Sequence, residues 1–357
     1  MSLSDGSNAS ERSVLIELND NFRCMEDGSI VDSDGRGWMV WNLVDFHRWW
    51  LAFETFSGVP LGRKLLNAAA DEEEYSFLSS SFFEVGWFRK SSRQRTKLSL
   101  RWKMMGWGSY DLANSAVSSN LIGPLCSGFA LAASENITRT RLKVQWSQTT
   151  NNQINLDLEK AQRSFTPAPP SPVLCWDSDG IPDAIFSPLD LDLQTVQNGW
   201  THAGERCCLL PSGVFSRFFE TMMAQGIQLR PSWLECWEFG SGISSQSQIP
   251  LILSAMAVNE LVSQSEQPIY IQDLESWNQL ADAYLKPFGF GKPVQLRSLD
   301  GQGGIEFDLK PCPQFPLLVG YLYSFWQRGH GRRAKVHIQS KGNVWSVKII
   351  SLLSYTE

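Results

Sequence analysis

Pro124-Leu125-Cys126-Ser127-Gly128-Phe129 and Pro316-Leu317-Leu318-Val319-Gly320-Tyr321 are two versions of one passage. At a constant offset of 192 residues Pro124 falls on Pro316, Leu125 on Leu317 and Gly128 on Gly320. The same offset carries Arg141 onto Arg333, Lys143 onto Lys335 and Val144 onto Val336 without a gap. A repeat of this kind makes the chain two related units, and the chemistry of one must make sense in the other. Each passage reads as a helix rich in small residues, whose glycine admits a ligand or another backbone, with close helix–sheet packing the first reading.

Outward from the repeat, Thr166-Pro167-Ala168-Pro169-Pro170-Ser171-Pro172 is a linker, because its prolines resist helix and sheet-centre positions alike. It separates a first unit, 13–162, from a second, 173–357, with the linker at 163–172 and a polar, Ser-rich, disordered tail at 1–12. In the first unit a short strand is expected at 14–18. Helices follow over 43–56, where Phe46, Trp49, Trp50, Phe53 and Phe56 recur at three- and four-residue spacing, and over 61–74 and 94–105. A strand or frayed pair near 110–112, a helix over 121–134 and a hairpin of 141–147 with 153–159 complete it.

The second unit repeats that order. Phe215 to Phe219 answer Phe46 to Trp50 at an offset of 169, and Gly289-Phe290-Gly291 answers Gly106-Trp107-Gly108 at 183. A helix over 274–285, a full hairpin around Asp300-Gly301, a helix over 316–327 and strands at 335–338 and 345–350 follow.

Composition bounds the function. The 357 residues suit two domains, and 43% hydrophobic with 19% charged residues describes an ordered globular chain. Fifteen Trp and twenty Phe demand either aromatic cores or an apolar cavity, with core the first reading. A net charge of −6 excludes a broad nucleic-acid surface, and the cluster from Arg328 to Lys335 is too short to supply one. Seven cysteines, odd in number and without paired spacing, read as reduced thiols in a cytoplasm, with the adjacent Cys207-Cys208 marking a strand. No signal peptide is expected, and the longest apolar run, 121–133, is too short to cross a bilayer and carries a Pro and two Gly.

The order of elements resembles the 4-vinyl reductase domain and its wider superfamily, which includes subunits of TRAPP tethering complexes and haem-based nitric-oxide sensors. The resemblance rests on a helix ending in Gly-aromatic-Gly, a strand or hairpin, a small-residue helix with a central Gly, and a final hairpin. These are residues 280–309, Cys312, Gly320 and the strands to Ile350 in the second unit. In the first they are 101–112, Gly128 and 143–158, preceded by Pro60-Leu61-Gly62-Arg63-Lys64-Leu65. Cys312 stands where such domains often carry a Cys, whereas neither unit has one in its final hairpin. The resemblance implies an α+β fold in which each helix-rich unit packs on a small antiparallel sheet and the two units pair as an internal pseudo-dimer. It also implies an apolar pocket for a small hydrophobic or lipid-like ligand. The candidate lining is Trp49, Phe53, Trp107, Cys126, Phe129, Phe218, Phe290, Leu318, Tyr321 and Phe325.

Other chemistry is thin. Asp32-Ser33-Asp34-Gly35 and Asp177-Ser178-Asp179-Gly180 can open a calcium loop, but the later ligands of such a loop are missing and Asp-Gly is a common turn former. No cofactor is therefore expected, with calcium the second reading. His47, His202, His330 and His337 form no metal or triad pattern, His47 reading as a core or interface residue, and no Walker or dinucleotide loop occurs. The expected function is a non-catalytic module that binds a small apolar ligand or a protein partner, a second copy included. Two alternatives stand beside it: a scaffold subunit whose pockets are filled by side chains, and, from the name of the resembled domain alone, an enzyme or accessory factor in tetrapyrrole or isoprenoid reduction.

Overall fold

The computed structural model describes residues 14–83, 90–178, 186–265 and 268–352. A helix at 14–21 (α1) leads into a meander of β1 (Phe22–Met25), β2 (Ile30–Asp32) and β3 (Gly37–Asn42). Then come α2 (Leu43–Ser57), α3 (Gly62–Ser79), α4 (Lys90–Met104), β4 (Ser109–Asp111), β5 (Ala116–Ser118), α5 (Gly123–Thr138), β6 (Leu142–Thr150) and β7 (Gln153–Lys160).

The second half opens with β8 (Phe186–Ser187) and a meander of β9 (Leu193–Val196), β10 (Gly199–His202) and β11 (Glu205–Pro211). It continues through α6 (Ser212–Met223), α7 (Pro231–Leu234), β12 (Trp237–Phe239), α8 (Ser245–Ser263) and α9 (Leu274–Tyr284). It closes with β13 (Gln295–Ser298), β14 (Ile305–Leu309), α10 (Phe315–His330), β15 (Ala334–Lys341) and β16 (Val344–Ser351). The fold is thus mixed α and β with largely antiparallel sheets.

Both halves build the central sheet, whose order is β8-β1-β2-β3-β11-β10-β9. At its middle β3 and β11 pair antiparallel, Trp41 opposite Cys208 and Val40 opposite Leu209. Each of these strands runs straight into a helix. Asn42 ends β3 and caps α2, its Oδ1 accepting from the Val44 and Asp45 amides. The aromatic faces of α2 and α6 then meet: Trp49 lies 5.8 Å from Phe215, Trp50 5.6 Å from Phe218, and Phe53 5.5 Å from Phe218, centroid to centroid. Rings of this size each remove about 150–250 Å² from water, so this seam is a main source of cohesion between the halves.

The outer sheets run in the same sequence. One is β4-β5-β7-β6; the other is β13-β14-β16-β15 extended by β12, which pairs parallel with β15. Above each lies a helix pair, α3 with α5 and α8 with α10. A Cβ at Gly128 would sit 2.4 Å from the Leu66 carbonyl oxygen, and one at Gly320 2.8 Å from Ala255 Cα, so both helix crossings need glycine. The Gly-aromatic-Gly turns cross to the opposite half. Gly106 packs on the Cys207 carbonyl and Gly289 on that of Trp38; Trp107 Nε1 donates to Leu209 O at 2.8 Å and Gly291 N to Gly28 O at 3.0 Å.

Three expectations need correction. Residues 14–18 are helical, not a strand: Val14 and Leu18 are buried at four-residue spacing while Ile16, Asn19 and Asp20 are exposed. The first half keeps a true hairpin, β4 with β5, Tyr110 opposite Val117. The sheets also exceed one small sheet per unit, since seven short strands from both halves form the largest one. The expected disordered tail at 1–12 lies outside the described residues. The linker at 163–172 carries no helix or strand, and Arg217 Nη2 donates to its Pro169 carbonyl at 2.6 Å.

Candidate functional site

A cleft of about 640 Å³ opens where the β3–α2 junction of the first half faces α8, α9 and α10 of the second. One wall is a continuous run of rings. His202 lies 5.6 Å from Phe288, Phe288 6.4 Å from Phe290, Phe290 5.0 Å from Tyr321, Tyr321 5.8 Å from Phe325, and Phe325 5.8 Å from Tyr284. Trp41 of β3 meets Phe290 edge-on at 5.1 Å, closing the floor. Leu261 and Val262 at the end of α8 add aliphatic surface.

The polar groups gather at the rim. Asp45 and Arg48, one turn apart on α2, approach to 3.9 Å and are half exposed; Glu205 at the start of β11 is exposed. Burial pushes the Asp45 carboxyl above its ordinary value, Arg48 opposes the shift and Glu205 adds to it. The Tyr321 hydroxyl is pushed up by burial and then by Asp45. Burial raises the Cys207 thiol to about 12, which leaves it an inert neutral group.

The first half answers this cleft with packed side chains. At the offset of 183 Arg101 stands where Tyr284 does, and at 192 Phe129 stands where Tyr321 does. Counted from the residues facing Gly128 and Gly320, Glu72 and Glu73 of α3 stand where Leu261 and Val262 stand on α8. Arg101 and Glu73 form a buried bidentate pair at 2.7 and 2.6 Å, and Arg217 donates to Glu72 at 2.8 Å. Trp107 stacks on Phe129 at 3.8 Å, and the Arg101 guanidinium sits 5.4 Å from the Trp107 ring and 5.5 Å from Trp38.

The candidate residues therefore part company. Phe290, Tyr321 and Phe325 line the large cleft. Leu318 lines a smaller one of about 160 Å³ with Cys312, Lys292 and Lys310. Trp49, Phe53 and Phe218 are buried in the α2–α6 seam, and Trp107, Phe129 and Cys126 in the first half's core, where burial lifts the Cys126 thiol to about 12. Trp41, Asp45, Arg48, Glu205, Tyr284 and Phe288 escaped the sequence reading. A signal for Tyr284 lies in the sequence: the offset of 183 sets it against Arg101, an aromatic residue against a charge.

His47 is exposed on α2 rather than in a core. The Asp32 carboxylate is spent on its own hairpin, accepting from the Asp34 and Arg36 amides and from Trp38 Nε1. Asp179 and Gly180 lie outside the described residues. Among the described residues no group of three or more His, Cys, Asp or Glu is placed to hold a metal, and no helix is long and apolar enough to cross a membrane. Compared with protein-family models, curated proteins and solved structures, the chain matches none.

Proposed function

We propose that this chain is an internal duplication, its units paired as a pseudo-dimer in the manner of the 4-vinyl reductase-like domains it resembles, and that it is a cytoplasmic binding protein for a small apolar ligand. The observation that carries the reading is the inequality of the two halves. Equivalent positions are filled by Arg101, Glu73, Trp107 and Phe129 in the first half, and line a cleft of about 640 Å³ in the second. That volume, its aromatic wall and its few rim polar groups suit a ligand of modest size. The matching sheet orders and the paired glycines support the duplication. The first half supports a scaffold role for itself, since it contributes Trp41 and the α2 rim to its partner's cleft.

The test is saturable binding. The neutral probe N-phenyl-1-naphthylamine should bind with one-site stoichiometry and accept excitation energy from tryptophan. Ala283→Trp, at an exposed lining position, should block it. Native mass spectrometry and organic extraction should find a co-purifying apolar molecule. A protein that carries none and shows no saturable probe binding would overturn the reading.

A further inference from the structure

We propose that the cleft takes an organic cation, an ammonium or similar head on an apolar body. This assignment rests on the reading of the cleft as a ligand site. Aromatic faces carry partial negative charge, and a wall of successive rings offers a cation several such faces at once. The run from Phe288 through Phe290, Tyr321 and Phe325 to Tyr284 is such a wall, with Trp41 across from it.

The rim charge points the same way. The charged residues lining the cleft are Asp45, Arg48 and Glu205, beside His202. Arg48 lies 3.9 Å from Asp45 and is half exposed, so it offsets one carboxylate. Glu205 has no ion pair among the described residues, and its charge is felt at Asp45. Two carboxylates against one guanidinium leave a rim that welcomes a positive head and repels a negative one.

The first half supplies an independent precedent in the same molecule. There the corresponding space holds a cation of the chain's own. The Arg101 guanidinium lies between the rings of Trp38, Phe83 and Trp107, at 5.5, 5.1 and 5.4 Å, and is balanced by Glu73. The second half has Tyr284 at that position, keeps an aromatic wall, and draws its carboxylates from α2 and β11 instead. Rings plus carboxylate recur, while the built-in cation does not.

Three ligands with one apolar body separate charge from hydrophobicity: 4-phenylbutylamine, 4-phenylbutanol and 4-phenylbutyrate, titrated calorimetrically into the full chain at pH 7. The amine should bind about tenfold more tightly than the alcohol, and the carboxylate more weakly than either. Glu205→Gln should narrow the amine-to-alcohol ratio. An alcohol that equals the amine, or a carboxylate that beats it, overturns the cation assignment and leaves the apolar cleft standing. Failure of all three to bind, with Ala283→Trp indistinguishable from the parent chain, removes the cleft reading itself and the assignment with it.

Discussion

Arg101 and Glu73 are joined by two parallel hydrogen bonds of 2.7 and 2.6 Å in a site where both side chains are almost fully buried. Burial pushes the Glu73 carboxyl up, and the guanidinium opposes that rise. Such a pair is costly to break, because removing one partner strands the other charge away from water. Arg101→Met should therefore destabilise the protein by about 3–5 kcal/mol in urea denaturation. Replacing both residues with their second-half counterparts, Glu73→Val with Arg101→Tyr, should cost less than Arg101→Met alone. A double variant worse than the single one would show that the pair is more than a charge filling a space.

The two central glycines should respond unequally to a methyl group. At Gly128 the added carbon would lie 2.4 Å from the Leu66 carbonyl oxygen and 2.8 Å from Ala69 Cβ; at Gly320 the closest contacts are 2.8 and 2.9 Å, to Ala255 and Val258. Both crossings must widen, and overpacking of this kind costs about 1–3 kcal/mol. Gly128→Ala should lower the melting temperature more than Gly320→Ala, since main-chain atoms bound both sites and the approach at Gly128 is the closer, 2.4 Å against 2.8 Å. Equal melting temperatures would show that α5 slides on α3 without strain.

An acid-sensitive element lies on the second outer sheet. Glu306 accepts from Arg297 at 3.1 Å and from Ser346 at 2.6 Å, and Arg297 also holds Asp308 at 2.7 Å. Arg297 is the main reason the Glu306 carboxyl falls from 4.5 to about 2. A carboxyl depressed in the folded state stabilises it above the unfolded value, and that contribution is lost as the pH falls through the folded value. Stability measured by chemical denaturation should thus decline between pH 4.5 and about 2, and Glu306→Gln should flatten that part of the profile. An unchanged slope in the variant would place the acid sensitivity elsewhere.

What could be read from residues alone follows from how each element is buried. Helix α2 announced itself because one face is buried and the other is wet, so Phe46, Trp49, Trp50 and Phe53 recur at helical spacing. Helix α8 gave no such signal: Leu251, Ile252, Leu253, Ala255, Ala257 and Val258 are all buried, which erases the period. The meander strands are three to seven residues long, and the pairing that joins the two meanders, β3 with β11, reaches into the other half, a partner that no local window contains. The cleft was half legible for the same reason. Phe290 and Tyr321 adjoin repeated glycines and Phe325 follows one helical turn after Tyr321, whereas Asp45 and Glu205 are ordinary surface residues until folding sets them on one rim.

The prolines at 167, 169, 170 and 172 look like a hinge between independent domains, yet the strands on either side of it share one sheet. β3 and β11 pair along their length, Trp107 donates to Leu209 across the divide, and Trp50 and Phe53 pack on Phe218. Little of this depends on covalent continuity, because linking two halves mainly raises their effective concentration. A chain carrying a protease site in place of Ala168 should, once cleaved, still elute as one species of the parent size and melt in a single transition. The fragments should separate only in denaturant. Two species after cleavage under native conditions would mean that the shared sheet is too weak to hold the halves, and that the linker, not β3 with β11, keeps them together.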